Sequence, residues 1–301
     1  MRICNFQQLM EIARGRGPQR VAVAAAEQPQ TLIALARAHR EGLAIPILVG
    51  DEEAVRRVAA AEGLSLEGME VVHQPLPRLA AREAVRLVTE GLADLVMNGR
   101  AQPGDLLRAA LAREGGLRMG RLLTDVAVFE IPGFDRLILV SDIGVVISPT
   151  LEEKVGIVQN AIDVARALGV EQPRVALLSA TEMVNPKIPT SLDASNLAKM
   201  ADRGQIKGGI VDGPLALDNA ISPQSAAIKG IRGPVAGQAD ILIAPDIETG
   251  NLLAKAITCF AGGKMASVVV GARCPLVMPS RADPPESKLT SLALARVIQG
   301  V

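Results

Sequence analysis

The chain has 301 residues, enough for two domains or one large α/β unit. Its 32 basic and 32 acidic residues cancel, and it has no Trp or Tyr and only four Phe. It therefore offers neither excess positive charge for a phosphate backbone nor rings for base stacking, which argues against nucleic-acid recognition.

Residues 1–17 read as a short amphipathic helix, followed by a buried-strand run over 20–26. Gln28-Pro29 opens a helix to Arg40, Gly42 ends it, and 45–49 is the next strand. Gly50-Asp51 caps a helix to about Glu62, and strand 69–72 precedes a helix over 79–89. Strand 94–97 leaves through Asn98-Gly99, and a helix follows over 105–113. These strands are apolar on both faces, as in a parallel sheet. The pattern then changes: 122–131 and 136–140 are consecutive strands joined by Pro132-Gly133, an antiparallel ribbon. Alternation resumes with helix 151–168, strand 175–178, a polar loop over 179–190 and helix 191–200. Strand 209–211 enters Asp212-Gly213-Pro214. Strand 240–244, helix 248–259, strand 265–270, strand 274–278 and helix 286–298 complete the chain. The ribbon and Gly271 mark two seams, giving a discontinuous domain 1–125 plus 275–301 and a second domain 126–274.

Cys4, Cys259 and Cys274 show no CxxC spacing, and His39 and His73 are the only histidines. No zinc set or Cys-His pair is expected from them, and no metal site is assigned. Without a leader-like or membrane-length apolar run, the expectation is a cytoplasmic protein with reduced thiols.

Several strands end in polar exits, among them Asn98-Gly99-Arg100, Ser141-Asp142, Asp212-Gly213 and Ser280-Arg281. In open α/β sheets ligands bind beyond the carboxyl ends of strands. The densest exit is 276–287, where Pro279 stops an apolar run and a hydroxyl, a guanidinium and two carboxylates follow within seven residues. By its residues alone Ser280 reads as nucleophile, cap or solvated hydroxyl, and the lack of a histidine partner disfavours the first. Gly115-Gly116-Leu117-Arg118-Met119-Gly120 is not GxGxxG, and Ala261-Gly262-Gly263-Lys264-Met265 is not a P-loop. A phosphate must be held by arginines or helix N-termini instead. Asp212, at a strand exit, and Asp218, on the following helix, read as turn and surface residues or as a cation pair.

The run Val211-Asp212-Gly213-Pro214-Leu215-Ala216-Leu217-Asp218-Asn219-Ala220 resembles the signature of the phosphate acetyl/butyryl transferase family, on its butyryltransferase branch. Ser141-Asp142-Ile143-Gly144-Val145, Val184-Asn185-Pro186-Lys187, Val235-Ala236-Gly237-Gln238-Ala239-Asp240 and Pro279-Ser280-Arg281-Ala282-Asp283 agree in order. The resemblance runs from about Arg20 to the end of the chain. It implies a two-domain, mainly parallel α/β fold of the isocitrate/isopropylmalate-dehydrogenase kind, with helices on both sheet faces and an active-site cleft between domains. It further implies a homodimer or higher oligomer, with acyl-CoA and phosphate as substrates and no cofactor or metal. Ser280, Arg281 and Glu286 are the implied catalytic residues, Asp283 a rival to Glu286 as base, and Arg108 a phosphate contact; Asp212 and Asp218 lie in the signature run.

The implied reaction is butyryl-CoA plus phosphate giving butyryl phosphate plus CoA, with acetyl or propanoyl specificity as the alternative. Two readings of other classes compete. One is a metal- and NAD-dependent decarboxylating dehydrogenase using Asp212, Asp218 and Asp246; EDTA-insensitive activity argues against it. The other is a non-catalytic CoA-binding protein, which would bind CoA without turnover.

Overall fold

The strand–helix alternation is present in the computed structural model, which describes residues 1–300. The elements begin with α1 (Phe6–Gly15), β1 (Gln19–Ala24), α2 (Pro29–Arg40), β2 (Ala44–Gly50) and α3 (Glu52–Ala61). Next come β3 (Glu70–His73), α4 (Pro77–Thr89), β4 (Leu95–Asn98) and α5 (Pro103–Ala110). The middle of the chain forms β5 (Thr124–Glu130), β6 (Ile138–Ser141), α6 (Leu151–Ala167), β7 (Arg174–Leu178) and α7 (Pro189–Asp202). Then follow β8 (Ile210–Leu215), α8 (Leu217–Ile221), α9 (Pro223–Ile228), β9 (Ile241–Ile243) and α10 (Ile247–Cys259). The last elements are β10 (Lys264–Val270), β11 (Leu276–Val277) and α11 (Pro285–Val297).

Two compact units result: residues 6–121 with 266 onward, and residues 1–5 with 122–265. In the first, the strand order is β3-β2-β1-β4-β11-β10. Strands β3, β2, β1, β4 and β11 run parallel, and β10 pairs antiparallel to β11 at Val269↔Leu276. Val21, Val23, Leu48, Leu95 and Met97 on one face and Ala22, Ala24, Val49, Val96 and Leu276 on the other are buried in its core. Their burial on both sheet faces is what the near-continuous apolar runs require. Edge strand β3 differs, because Glu70 and His73 are exposed. Helix α11 starts at Pro285, whose fixed φ suits a first helical turn. It packs against α1 and α2 and is buried nearly all round, so it behaves as a core helix.

In the other unit the order is β5-β6-β9-β7-β8, with β5 and β6 antiparallel and the remaining neighbours parallel. The antiparallel ribbon is thus observed, centred on the register Ala127↔Val140. Phe129, Ile138, Val140, Leu178, Leu215, Leu242 and Ile257 form its core. Helix α6 begins with a capping box, Thr150 and Glu153 each satisfying the other's backbone N–H. Asp212-Gly213-Pro214 corrects one expectation. It lies inside β8 rather than after it, and Asp212 pairs in register with Ala176. Strand β8 is the edge of its sheet, where a proline is tolerated, and the register with β7 shifts beside Pro214.

Just beyond β6, Asp142 is buried at 2% exposure. Its Oδ2 accepts the Asp125 N–H at 2.9 Å, and its Oδ1 accepts the N–H groups of Gly144 and Val145 at 2.7 and 2.8 Å. Burial pushes its carboxyl above the usual range although these amides pull the other way. Gly144 leaves room for the Asp125 side chain, since a Cβ there would stand 2.6 Å from Asp125 Oδ2 and make it shift.

Candidate functional site

Within the unit of residues 6–121 and 266 onward, β1, β4 and β11 are adjacent and parallel, so their exits share one edge. The β1 and β4 exits are bonded to each other: Gly99 N–H donates to Ala24 O at 2.9 Å and Arg100 N–H to Ala25 O at 2.7 Å. Ala25 adopts a left-handed φ of 55°, and a Cβ on Gly99 would lie 2.2 Å from Ala25 O. Only glycine permits that approach.

The β11 exit turns over residues 280–283. Asp283 Oδ2 accepts the Ser280 N–H at 2.8 Å, and Asp283 N–H donates back to Ser280 O at 3.1 Å. Lys288 Nζ also donates to Ser280 O, at 2.8 Å. Gln28, at the start of α2, donates from Nε2 to Arg281 O at 3.3 Å, and its Oε1 accepts from Thr31 Oγ1 at 2.7 Å. Main-chain groups of Ser280 and Arg281 are thus held while both residues stay exposed.

The two carboxylates of this stretch differ in surroundings. Asp283 is buried, and one of its oxygens serves the turn. Glu286, in the first turn of α11, is exposed, with Arg37 Nη1 3.6 Å from its Oε1. Arg108 lies on α5, with Asp105 Oδ1 2.7 Å from its Nη1. It lines an open groove of about 850 Å³ between α4 and α5, together with Arg78, Arg82 and Arg86. The structure therefore gathers Ser280, Arg281 and Asp283 in one turn, with Glu286 starting the next helix and Arg108 in a separate groove.

Asp212 and Asp218 belong to the other unit. Asp212 Oδ1 accepts the Gly213 N–H at 2.8 Å. Asp218, exposed on α8, pairs with Lys229 at 3.0 Å, and the bond from that ammonium holds its carboxyl below the usual range. Asp246 caps α10 through the Thr249 N–H. Among the described residues no three His, Cys, Asp or Glu side chains gather as a metal site would require. Each aspartate of the metal-dependent reading thus already has a local bond.

Glu27 and Lys288 went unread in the sequence, and Asn98 was read only as part of a polar strand exit. Glu27, just past β1, is buried, with Oε1 3.6 Å from Arg100 Nη2 and Oε2 without a hydrogen bond. Asn98 ends β4 buried, donating to Ala101 O at 3.0 Å. Lys288 is buried at 1% exposure. Cys274 is also buried, which pushes its thiol up to about 12 and disfavours the thiolate.

The phosphate acetyl/butaryl transferase family model matches residues 4–81 and 73–296. The chain is 44% identical over 298 residues to the phosphate butyryltransferase of Clostridium acetobutylicum, covering 99% of each protein. It is 45% identical over 292 residues to the phosphate acetyltransferase of Thermotoga maritima, covering 97% of this chain and 99% of that one. The structure of a branched-chain phosphotransacylase from Enterococcus faecalis V583 is similar, with a TM-score of 0.81 and 34% identity over 93% of this chain and 99% of that one. A 4-hydroxythreonine-4-phosphate dehydrogenase from Klebsiella pneumoniae shares the fold alone, with a TM-score of 0.54 and 14% identity over 94% of this chain and 100% of that one. The dehydrogenase-like α/β fold expected from the sequence is thereby present, and the chain belongs to the phosphate acetyl/butaryl transferase family.

Proposed function

We propose that this protein is an enzyme that reversibly transfers a short acyl group between coenzyme A and inorganic phosphate. The observation that carries the proposal is identity of 44–45% over nearly the whole chain to transferases of this one reaction type. The butyryl and acetyl relatives are equally similar, so butyryl is the first acyl group to test and acetyl and propanoyl the next. A methylene distinguishes substrates by only about 1–3 kcal/mol in an apolar pocket.

In the direction of thioester synthesis, a carboxylate takes the proton of the CoA thiol, since a thiol of pKa about 8.5 is only a few per cent ionised at neutral pH. The thiolate attacks the carbonyl carbon of the acyl phosphate, forming the C–S bond and a tetrahedral oxyanion. Collapse of that oxyanion breaks the C–O bond and releases phosphate. Arg281 and the Ser280 hydroxyl serve as donors to the oxyanion or to the departing phosphate. Glu286 is the base we favour: it is exposed, whereas an oxygen of Asp283 already accepts the Ser280 N–H. Arg108 is assigned to phosphate on its exposed guanidinium, in a groove where four arginines stand with Glu83, Asp105 and Glu114. Reaction proceeds in one ternary complex, with Asp212 and Asp218 in binding rather than chemistry.

Two variants check these assignments. Glu286→Gln is expected to lower kcat by about 10²-fold, the scale of general-base catalysis, with the loss smallest at high pH where the thiol ionises unaided. A silent Glu286→Gln would remove the role from Glu286, and Asp283, which also holds the Ser280 turn, would take it only if the loss in Asp283→Asn likewise shrinks at high pH. Arg108→Ala is expected to raise the KM for phosphate about tenfold, the worth of one charge-assisted contact, with little change in kcat.

We further propose a cytoplasmic homodimer. Among the described residues no helix is long and apolar enough to cross a membrane. Light scattering of the purified protein reads the oligomeric state.

A further inference from the structure

Lys288 lies in α11, where its neighbours Leu289, Leu292 and Ala295 are also buried. An ammonium at 1% exposure is unfavourable at such a position. Burial pushes its pKa down, and the nearby Asp283 carboxylate pulls the other way. Its charge is offset in part by the Asp283 carboxylate and in part by the carbonyl it bonds.

What the ammonium touches suggests its use. Ser280 O receives the Lys288 Nζ at 2.8 Å and the Asp283 N–H at 3.1 Å, while the Ser280 N–H is held by Asp283 Oδ2 at 2.8 Å. Two buried, oppositely charged side chains thus grip the carbonyl and the amide of one exposed residue. The next carbonyl, Arg281 O, is held by Gln28, whose amide is itself oriented by Thr31. The side chains of Ser280 and Arg281 leave from a backbone fixed at three points.

We propose that Lys288 is a positioning residue for acyl transfer: its bond to Ser280 O, working with Asp283, fixes the turn that presents Ser280 and Arg281 to the substrate. This rests on the assignment of Arg281 to the chemistry. Displacing a reacting group by about 1 Å costs on the order of 10²-fold in rate, so loss of this bond is read in kcat of the folded enzyme.

The test is a double-mutant cycle on the full chain, with phosphate-dependent release of CoA from butyryl-CoA as the assay. Lys288→Met is expected to lower kcat about 10²-fold and to leave both KM values within about threefold, with a lower melting temperature because buried Asp283 loses its nearby cation. Lys288→Arg, which keeps charge and donor, is expected to recover about tenfold of that loss. In an Arg281→Ala background, Lys288→Met is expected to cost less than about tenfold further, because of the two groups it positions only Ser280 remains. Lys288→Gln runs in parallel, so that misfolding of one variant does not decide the outcome.

Full activity of Lys288→Met, or an equal loss in both backgrounds, overturns the proposal. If Arg281→Ala is crippled but the losses add, only the role of Lys288 falls. If Arg281→Ala is itself fully active, the assignment of Arg281 falls and the positioning role with it.

Discussion

Arg281→Ala is expected to lower kcat for phosphate-dependent acyl transfer by about 10²–10³-fold, the scale for removing one donor to a developing oxyanion. The residue is exposed, and it is its main-chain oxygen that accepts from Gln28. Truncating the side chain leaves that bond in place, and the melting temperature is expected to stay within about 2 °C of the parent, as for surface substitutions generally. Arg281→Lys keeps the charge but loses the planar fork that matches phosphate and carboxylate oxygens, and is expected to recover only part of the rate. Steady-state kinetics with calorimetry separates this result from misfolding.

Asp142→Ala is expected to act oppositely, on stability first. The carboxylate accepts three backbone N–H groups, from Asp125, Gly144 and Val145, at a nearly water-free position. Removing it strands those donors at about 1 kcal/mol or more each, so a loss of at least about 3 kcal/mol is expected in urea unfolding. The pH dependence has a definite sign. Because burial raises the folded carboxyl above its unfolded value, the titration of Asp142 contributes stability that is fully present below the unfolded pKa. That contribution is lost as pH rises through the raised folded value. Asp94 behaves in reverse: burial pushes it up, but the bonds from Arg20 outweigh that and hold it low. Its contribution is present above the unfolded value and is lost as pH falls through the folded one. Acid sensitivity is therefore expected to weaken in Asp94→Asn and not in Asp142→Asn.

Much of the architecture was legible because parallel strands buried on both faces leave unbroken apolar runs, as at Val21–Val23 and Leu95–Met97. The antiparallel ribbon was legible from two consecutive strands joined by Pro132-Gly133. Strand β8 was cut short in the sequence because Asp-Gly-Pro ordinarily ends a strand; only its edge position, a tertiary fact, lets it continue.

The turn at Ser280 stood out through its clustered polar residues, but what holds it did not. A lysine one turn into a helix reads as a solvated surface residue. The available signal was that Lys288 falls four residues before Leu292 and seven before Ala295, on a face buried in α11. Glu27 was hidden in the same way, as an acidic residue after a strand that reads as a turn. Burial of a charge is decided by what packs over it, and that comes from segments distant in sequence.

The most direct measurement is release of free CoA thiol from acetyl- through hexanoyl-CoA, started by adding inorganic phosphate. The expected result is phosphate-dependent release with at least one short acyl-CoA, undiminished by EDTA and accompanied by formation of the matching acyl phosphate. No phosphate-dependent release from any acyl-CoA of the series would contradict the proposed function.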